Sequence, residues 1–246
     1  MFTHTSGSSW VSIGVFAAIG FVLTGAAFVF AITSAQPGSA FYDLKRNGWE
    51  EWRGGQHTDT VSIAEYQLTL LERRQQEALR LSTKTNPSPS AAADLLDATT
   101  NQTALLLQHI AQNAGSGISA TDAVLYTHRL AAIVRAQELT FQQHPVLQEY
   151  QPELTELRRE LNTYVAGRTN QLVVHHNDEF VVLFTSLLTD LTAELGRGRR
   201  SEDASSGVEL YLQQSNLLLQ QGEAARALQA VLHAKTAILL DGYISL

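Results

Sequence analysis

The sequence predicts an all-α protein: a single N-terminal transmembrane helix, then an antiparallel helical bundle that closes in a helical hairpin. Three observations carry this. A 23-residue stretch near the N-terminus has no ionisable side chain; the remainder repeats apolar residues at helical spacing without strand-like alternation; and Pro, Gly and capping residues punctuate the repeats. With 246 residues, 44% hydrophobic and 17% charged, the chain can fill a core and is not of the disordered class. A net charge of -7 argues against nucleic acid as a partner, because phosphate binding needs an excess of cations. The absence of cysteine excludes disulfide scaffolds, thiolate metal sites and cysteine nucleophiles.

The apolar stretch runs from Trp10 to Ile32, about 35 Å as a helix, which matches a bilayer's hydrocarbon core. All 17 Lys and Arg and all 24 Asp and Glu follow it. The chain therefore divides into a tail (1–9), a transmembrane helix (10–34), a membrane-proximal collar (35–57) and a helical bundle (58–246), with the hairpin at 206–246. The alternative is a cleaved secretory signal, with Thr33 and Ala35 ahead of a cut before Gln36. A tail without Lys or Arg and an apolar run longer than a signal core favour the uncleaved anchor. Lys45, Arg46 and Arg53 on the C-terminal side point to a cytoplasmic body by the positive-inside rule. A short span before a large polar domain is the layout of a signal anchor with an extracytoplasmic body, so both orientations stand. Gly14, Ala18 and Gly25 lie on roughly one face of the span, a helix-packing stripe unless they reflect only the frequency of small residues in membrane helices.

In the body, Thr60 caps a helix to about Lys84, carrying Val61, Ala64, Leu68, Leu71 and Ala78 and ended by Asn86-Pro87-Ser88-Pro89. Ser90 opens the next, which stops at Ala114-Gly115-Ser116-Gly117. Ser119 to Asp122 resembles a capping box with Asp in place of Glu, and the following helix, with Tyr126, Leu130, Ile133, Val134 and Phe141, ends before Pro145. Pro152 suits the first turn of a helix with a stripe of Leu154, Leu157, Leu161, Val165 and Leu172, and with Glu153, Glu156, Arg158, Arg159 and Glu160 turned mostly to water. Phase is lost around His175 to Asp178, so a kink is expected before the stripe of Phe180, Phe184, Leu187, Leu191 and Leu195. A charged linker follows over 196–203. From Val208 the chain forms a hairpin about Gly222, similar to one tetratricopeptide unit; no second copy appears, so it should dock on the bundle.

Just after the span stands Pro37-Gly38-Ser39-Ala40-Phe41-Tyr42-Asp43-Leu44-Lys45-Arg46. This stretch resembles the opening motif of a bacterial family of membrane-anchored all-helical domains, P-G-S-x-L-Y-x-L-K-R, with Phe41 at the Leu position and Asp43 where Pro is common. The resemblance implies an extracytoplasmic body and, in some members, association with anti-sigma-type regulation; it supplies no catalytic residue. Physically, Tyr42, Trp49 and Trp52 share one face of an α-helix, and Trp10 brackets the other end of the span, so these aromatics suit the headgroup level. The alternative has Tyr42, Leu44 and Trp49 packing on the bundle.

No histidine pair stands at i and i+3 or i+4, so no helical metal site is expected, and adjacent His175 and His176 point about 100° apart on a helix. Glu50-Glu51 and Glu202-Asp203 read as solvated charge. Asn101-Gln102-Thr103 matches a glycosylation sequon inside a helix. No nucleotide fingerprint or hydrolase elbow occurs. The expectation is a non-enzymatic single-pass membrane protein without a cofactor, whose helical body binds protein partners as an envelope regulator or sensor. The alternative is an accessory subunit of a larger membrane or surface assembly. Its other partner is the lipid bilayer.

Overall fold

Every regular element among the described residues is helical. The computed structural model describes the backbone of residues 8–197 and 201–244, with side chains from Phe21 onward apart from Asp203. Two units emerge, Met1–Gln56 and His57–Leu246.

In the first unit, α1 spans Ser8–Thr33. No helix among the described residues is long and apolar enough to cross a membrane. The side chains of Trp10, Gly14 and Ala18, on which the transmembrane reading draws, lie outside the described residues. From Phe21 to Phe30 α1 is apolar yet exposed, with Phe21 83% and Phe30 72% exposed, whereas Ile32 near its end is buried. It ends where the Thr33 and Ser34 hydroxyls donate to the carbonyls of Val29 (2.9 Å) and Phe30 (2.6 Å). A tight turn follows, closed by Ser39 N–H donating to Gln36 C=O at 3.0 Å. Pro37 presets its first corner and Gly38, at φ 80°, takes the second, which an L side chain rarely adopts. A short helix α2 (Tyr42–Leu44), a π-helical turn (Lys45–Glu50) and α3 (Glu51–Gly54) complete the unit.

Among the described residues the second unit is a bundle of seven α-helices, α4 Thr60–Ser82, α5 Pro89–Asn113, α6 Ala120–Gln142, α7 Gln151–His175, α8 Asn177–Gly196, α9 Glu202–Gln220 and α10 Ala224–Ile244, with a 3-10 turn at Gln148–Tyr150. Their starts follow capping chemistry. Asp59, one residue ahead of the expected Thr60, caps α4 by accepting from Ser62 N–H at 2.8 Å. Ser88 and Pro89 open α5, ahead of the expected Ser90. At α6 the Ser119 hydroxyl accepts from Asp122 N–H at 3.0 Å, and the shorter Asp side chain takes the hydroxyl proton at 2.7 Å. The kink expected near 175–178 is a break at His176, whose non-helical backbone (φ -136°, ψ 49°) ends α7 and starts α8. The expected linker is shorter: Ser201 caps α9 by accepting from Ala204 N–H at 3.3 Å, so the helix already begins at Glu202, whose acid the helix dipole favours in the first turn.

At the centre lies α6. Fifteen of its 23 residues are buried, on every side of the helix rather than along one stripe. Helices α4, α5, α7, α8 and α10 all pack against it. Ala123, Ala132 and Ala136 let neighbouring backbones approach, while Leu130, Ile133, Val134 and Phe141 fill the gaps between them. Helices α4 and α5 run antiparallel, and so do α9 and α10: His109 near the end of α5 donates through Nε2 to Thr60 C=O at the start of α4 (2.8 Å), and Ser201 at the start of α9 donates to Asp241 near the end of α10 (2.8 Å). Arg129 of α6 reaches Glu65 and Glu72 of α4, and Tyr243 of α10 donates to the same Glu72 at 2.8 Å.

The closing hairpin turns at Gly222 (φ 78°). Glu223 N–H returns to Leu218 C=O at 2.9 Å and Gly222 N–H to Leu219 C=O at 3.0 Å, the pair of bonds of a Schellman stop. Leu228 and Val231 are fully buried and belong to the same core as α4 to α8. Leu228→Ala should therefore lower unfolding free energy by about 2–5 kcal/mol in denaturant titrations. Glu223→Ala, which removes only a partly exposed ion pair with Arg226, should change it by under about 1 kcal/mol. Equal effects would place the hairpin outside the core.

Candidate functional site

The collar does not keep α-helical phase. In a π turn about one more residue fits per turn, so Lys45 and Glu50, five apart, share a face with Tyr42; all three are buried. Lys45 Nζ donates to Ala35 C=O at 2.9 Å and lies 5.7 Å from the centre of the Tyr42 ring. Glu50, read as solvated, is thus inside the unit, and Tyr42 leaves the face assigned to Trp49 and Trp52. Those two indoles stay together, 5.3 Å between ring centres, with the Arg53 guanidinium 5.7 Å from Trp49. Trp52 (58%) and Leu44 (44%) are exposed, as is Phe41, whose ring meets Phe28 edge-on at 6.2 Å. Gly25 has open space where a side chain would stand, so no described residue packs there.

The histidines disperse. His176 Nδ1 lies 3.3 Å from Glu179, and among the described residues no three His, Asp or Glu side chains converge as a metal site would require. In the sequon, Thr103 is buried within α5.

A site the sequence did not single out lies in the second unit. Between α6, α7 and α10, with Tyr211 of α9 at its edge, is a cavity of about 500 Å³. One wall is made of small apolar side chains: Ala131, Ala132, Val165, Ala166 and Ala237. Arg135 of α6 and Arg158 of α7 line it as well. Both guanidiniums bond to the same oxygen of Glu138, Arg135 through Nη1 (2.5 Å) and Arg158 through Nε (2.7 Å). The other carboxylate oxygen accepts from Thr155 at 2.7 Å. Glu138 is only 2% exposed, and its burial pushes the carboxyl up, but the bonds from Arg135 and Thr155 and the charges of both arginines outweigh this and hold it below the usual carboxylate range. Arg158, expected to face water, is drawn inward by that carboxylate. The signal available in the sequence was Arg135-x-x-Glu138, an i, i+3 charge pair within the largely apolar second half of the helix.

His128 forms the cavity floor. Its Nε2 donates to Leu232 C=O at 2.7 Å and sits 2.8 Å from the Thr236 hydroxyl, tying α6 to α10. Burial pushes its pKa down to about 4, so the ring is neutral at pH 7.

The folded-state pKa of His128 lies below its ordinary value of 6.5, so the unfolded chain binds the extra proton between those limits. Its contribution to stability is then constant above pH 6.5 and lost as pH falls toward 4, by about 3 kcal/mol at 1.36 kcal/mol per unit, and His233, whose pKa burial also lowers, adds a loss of the same sign. Denaturant titrations from pH 7.5 to 4.5 should show this slope, and His128→Gln should flatten it. An unchanged slope in the variant would assign the effect elsewhere.

Compared with family models, curated proteins and solved structures, the chain finds no match in any of the three.

Proposed function

We propose that the chain is a single-pass membrane protein whose helical body binds other proteins on the extracytoplasmic side of a cell envelope, as a regulator or sensor without catalytic chemistry of its own. The observation that carries this is α1. Its sequence from Trp10 to Ile32 holds no ionisable side chain, and every side chain described from Phe21 to Phe30 is exposed to solvent, an arrangement that costs heavily in water and nothing in lipid. Exposed Trp52 in the collar is of the kind that sits at headgroup level. The protein-binding role draws on α9, whose outer face carries Leu210 (63% exposed) and Leu217 (55%) two turns apart among glutamines.

Alkaline carbonate extraction should leave the full chain in the membrane pellet and release a variant lacking residues 10–34; release of both would remove the anchor. Because the chain has no cysteine, Ser206→Cys, at an exposed position, reports orientation alone. Labelling of intact cells by a membrane-impermeant maleimide is expected. Labelling only after lysis would put the body in the cytoplasm. A photo-crosslinking residue at Leu217 should give one discrete heavier species, whereas monomer alone would contradict a protein-binding face.

A further inference from the structure

We propose that the cavity between α6, α7 and α10 is a binding site for a small organic anion, a carboxylate or phosphate on a compact apolar body. This goes beyond the anchoring and protein-binding roles and does not depend on them. Four observations combine.

The first is charge. Glu138 carries one negative charge and holds two arginines, so the cluster keeps a net positive charge, and no acidic side chain lines the cavity to offset it. The second is unused donors. A guanidinium has five N–H groups in a planar fork. Arg135 spends only Nη1, leaving its Nε/Nη2 edge, and Arg158 spends only Nε, leaving its Nη1/Nη2 edge, with no described protein partner on either. Each of those edges matches two oxygens of a carboxylate or phosphate. Glu138, itself fixed by Thr155, holds both forks in place before a ligand arrives.

Shape is the third. Alanines on α6, α7 and α10 hollow the wall, and about 500 Å³ falls within the range of small-molecule sites. A bare inorganic ion would leave most of that wall empty, so the occupant has an apolar body. Fourth, the neutral donors and acceptors at the rim, Asn162 and Gln229, suit polar substituents without adding charge. His128 belongs to the floor and is already committed to Leu232, so the arginines supply the recognition.

The test uses the purified full chain, in phosphatidylcholine nanodiscs if it enters lipid and in buffer if it does not, with the matching protein-free sample as the blank, and isothermal titration with 1-naphthoate. One site per chain is expected. The neutral isostere 1-naphthalenemethanol should bind at least about tenfold more weakly, and so should inorganic phosphate, which has the charge but no body. Arg158→Gln should weaken naphthoate by about tenfold or more, because Glu138 still keeps Arg135 and Thr155 and the bundle stays paired. Ala166→Trp, at a half-buried position on the wall, should abolish binding by filling the space while leaving the arginines intact. Melting curves on both variants establish that they fold; if Arg158→Gln melts early, Ala166→Trp decides. No naphthoate binding, equal binding of the alcohol or of phosphate, or unchanged affinity in folded Ala166→Trp would each overturn the proposal.

Discussion

The bundle depends on a helix that has no solvent side. Once α6 is enclosed by its neighbours, its buried polar groups need partners inside the protein, because an unpaired buried group costs about 1–3 kcal/mol. Those partners fix which helix lies where. Gln137 of α6 donates to Thr99 of α5 (2.9 Å), and Gln75 of α4 donates to Thr140 of α6 (3.2 Å); each threonine in turn donates to a carbonyl four residues back in its own helix. His128 selects α10 and Glu138 selects α7. A hydrophobic stripe alone would let neighbouring helices slide by a turn; these side chains set the register. The pairing is incomplete, since Oε1 of Gln75 and of Gln137 has no described partner, so specificity here is bought with some stability.

The same constraint explains the cavity. Alanines on α6 are needed where helices cross closely, but facing α7 and α10 the same small side chains leave space unfilled. Glu138 stands beside that space and could not remain buried alone as an anion. Two arginines answer it from different helices, and the surplus charge falls on the cavity. Structural pairing and a binding-competent surface are thus one arrangement viewed from its two sides.

Much of the bundle was legible in the sequence because helix ends are written in local chemistry. Ser119, Pro89, Gly222 and the break near His176 mark boundaries whose causes act within four residues. Stripes such as Leu154, Leu161, Val165 and Leu172 gave the inward face of α7 for the same reason. What escaped was decided at long range. Periodicity reads one apolar face, so it ranked α6 with its neighbours; it passed over His128, which in a one-sided helix would face water, and gave no partner for the polar Gln137 and Glu138. Arg158 looked solvated among Glu153, Glu156, Arg159 and Glu160 until its partner, twenty residues away, came into view. In the collar, no residue type announces a π turn; one extra residue per turn was enough to move Tyr42 and Glu50 inside.

Native-state hydrogen exchange along the chain tests the central position of α6 most directly. If every face of α6 is held by a neighbour, its mid-helix amides, from Leu130 to Val134, open only when the whole bundle unfolds. Their exchange free energy should equal that of global unfolding measured by denaturant, and should exceed that of amides in α9, which lies at the bundle's margin. Mid-helix amides of α6 exchanging by a local opening, with free energies at or below those of α9, would contradict the account.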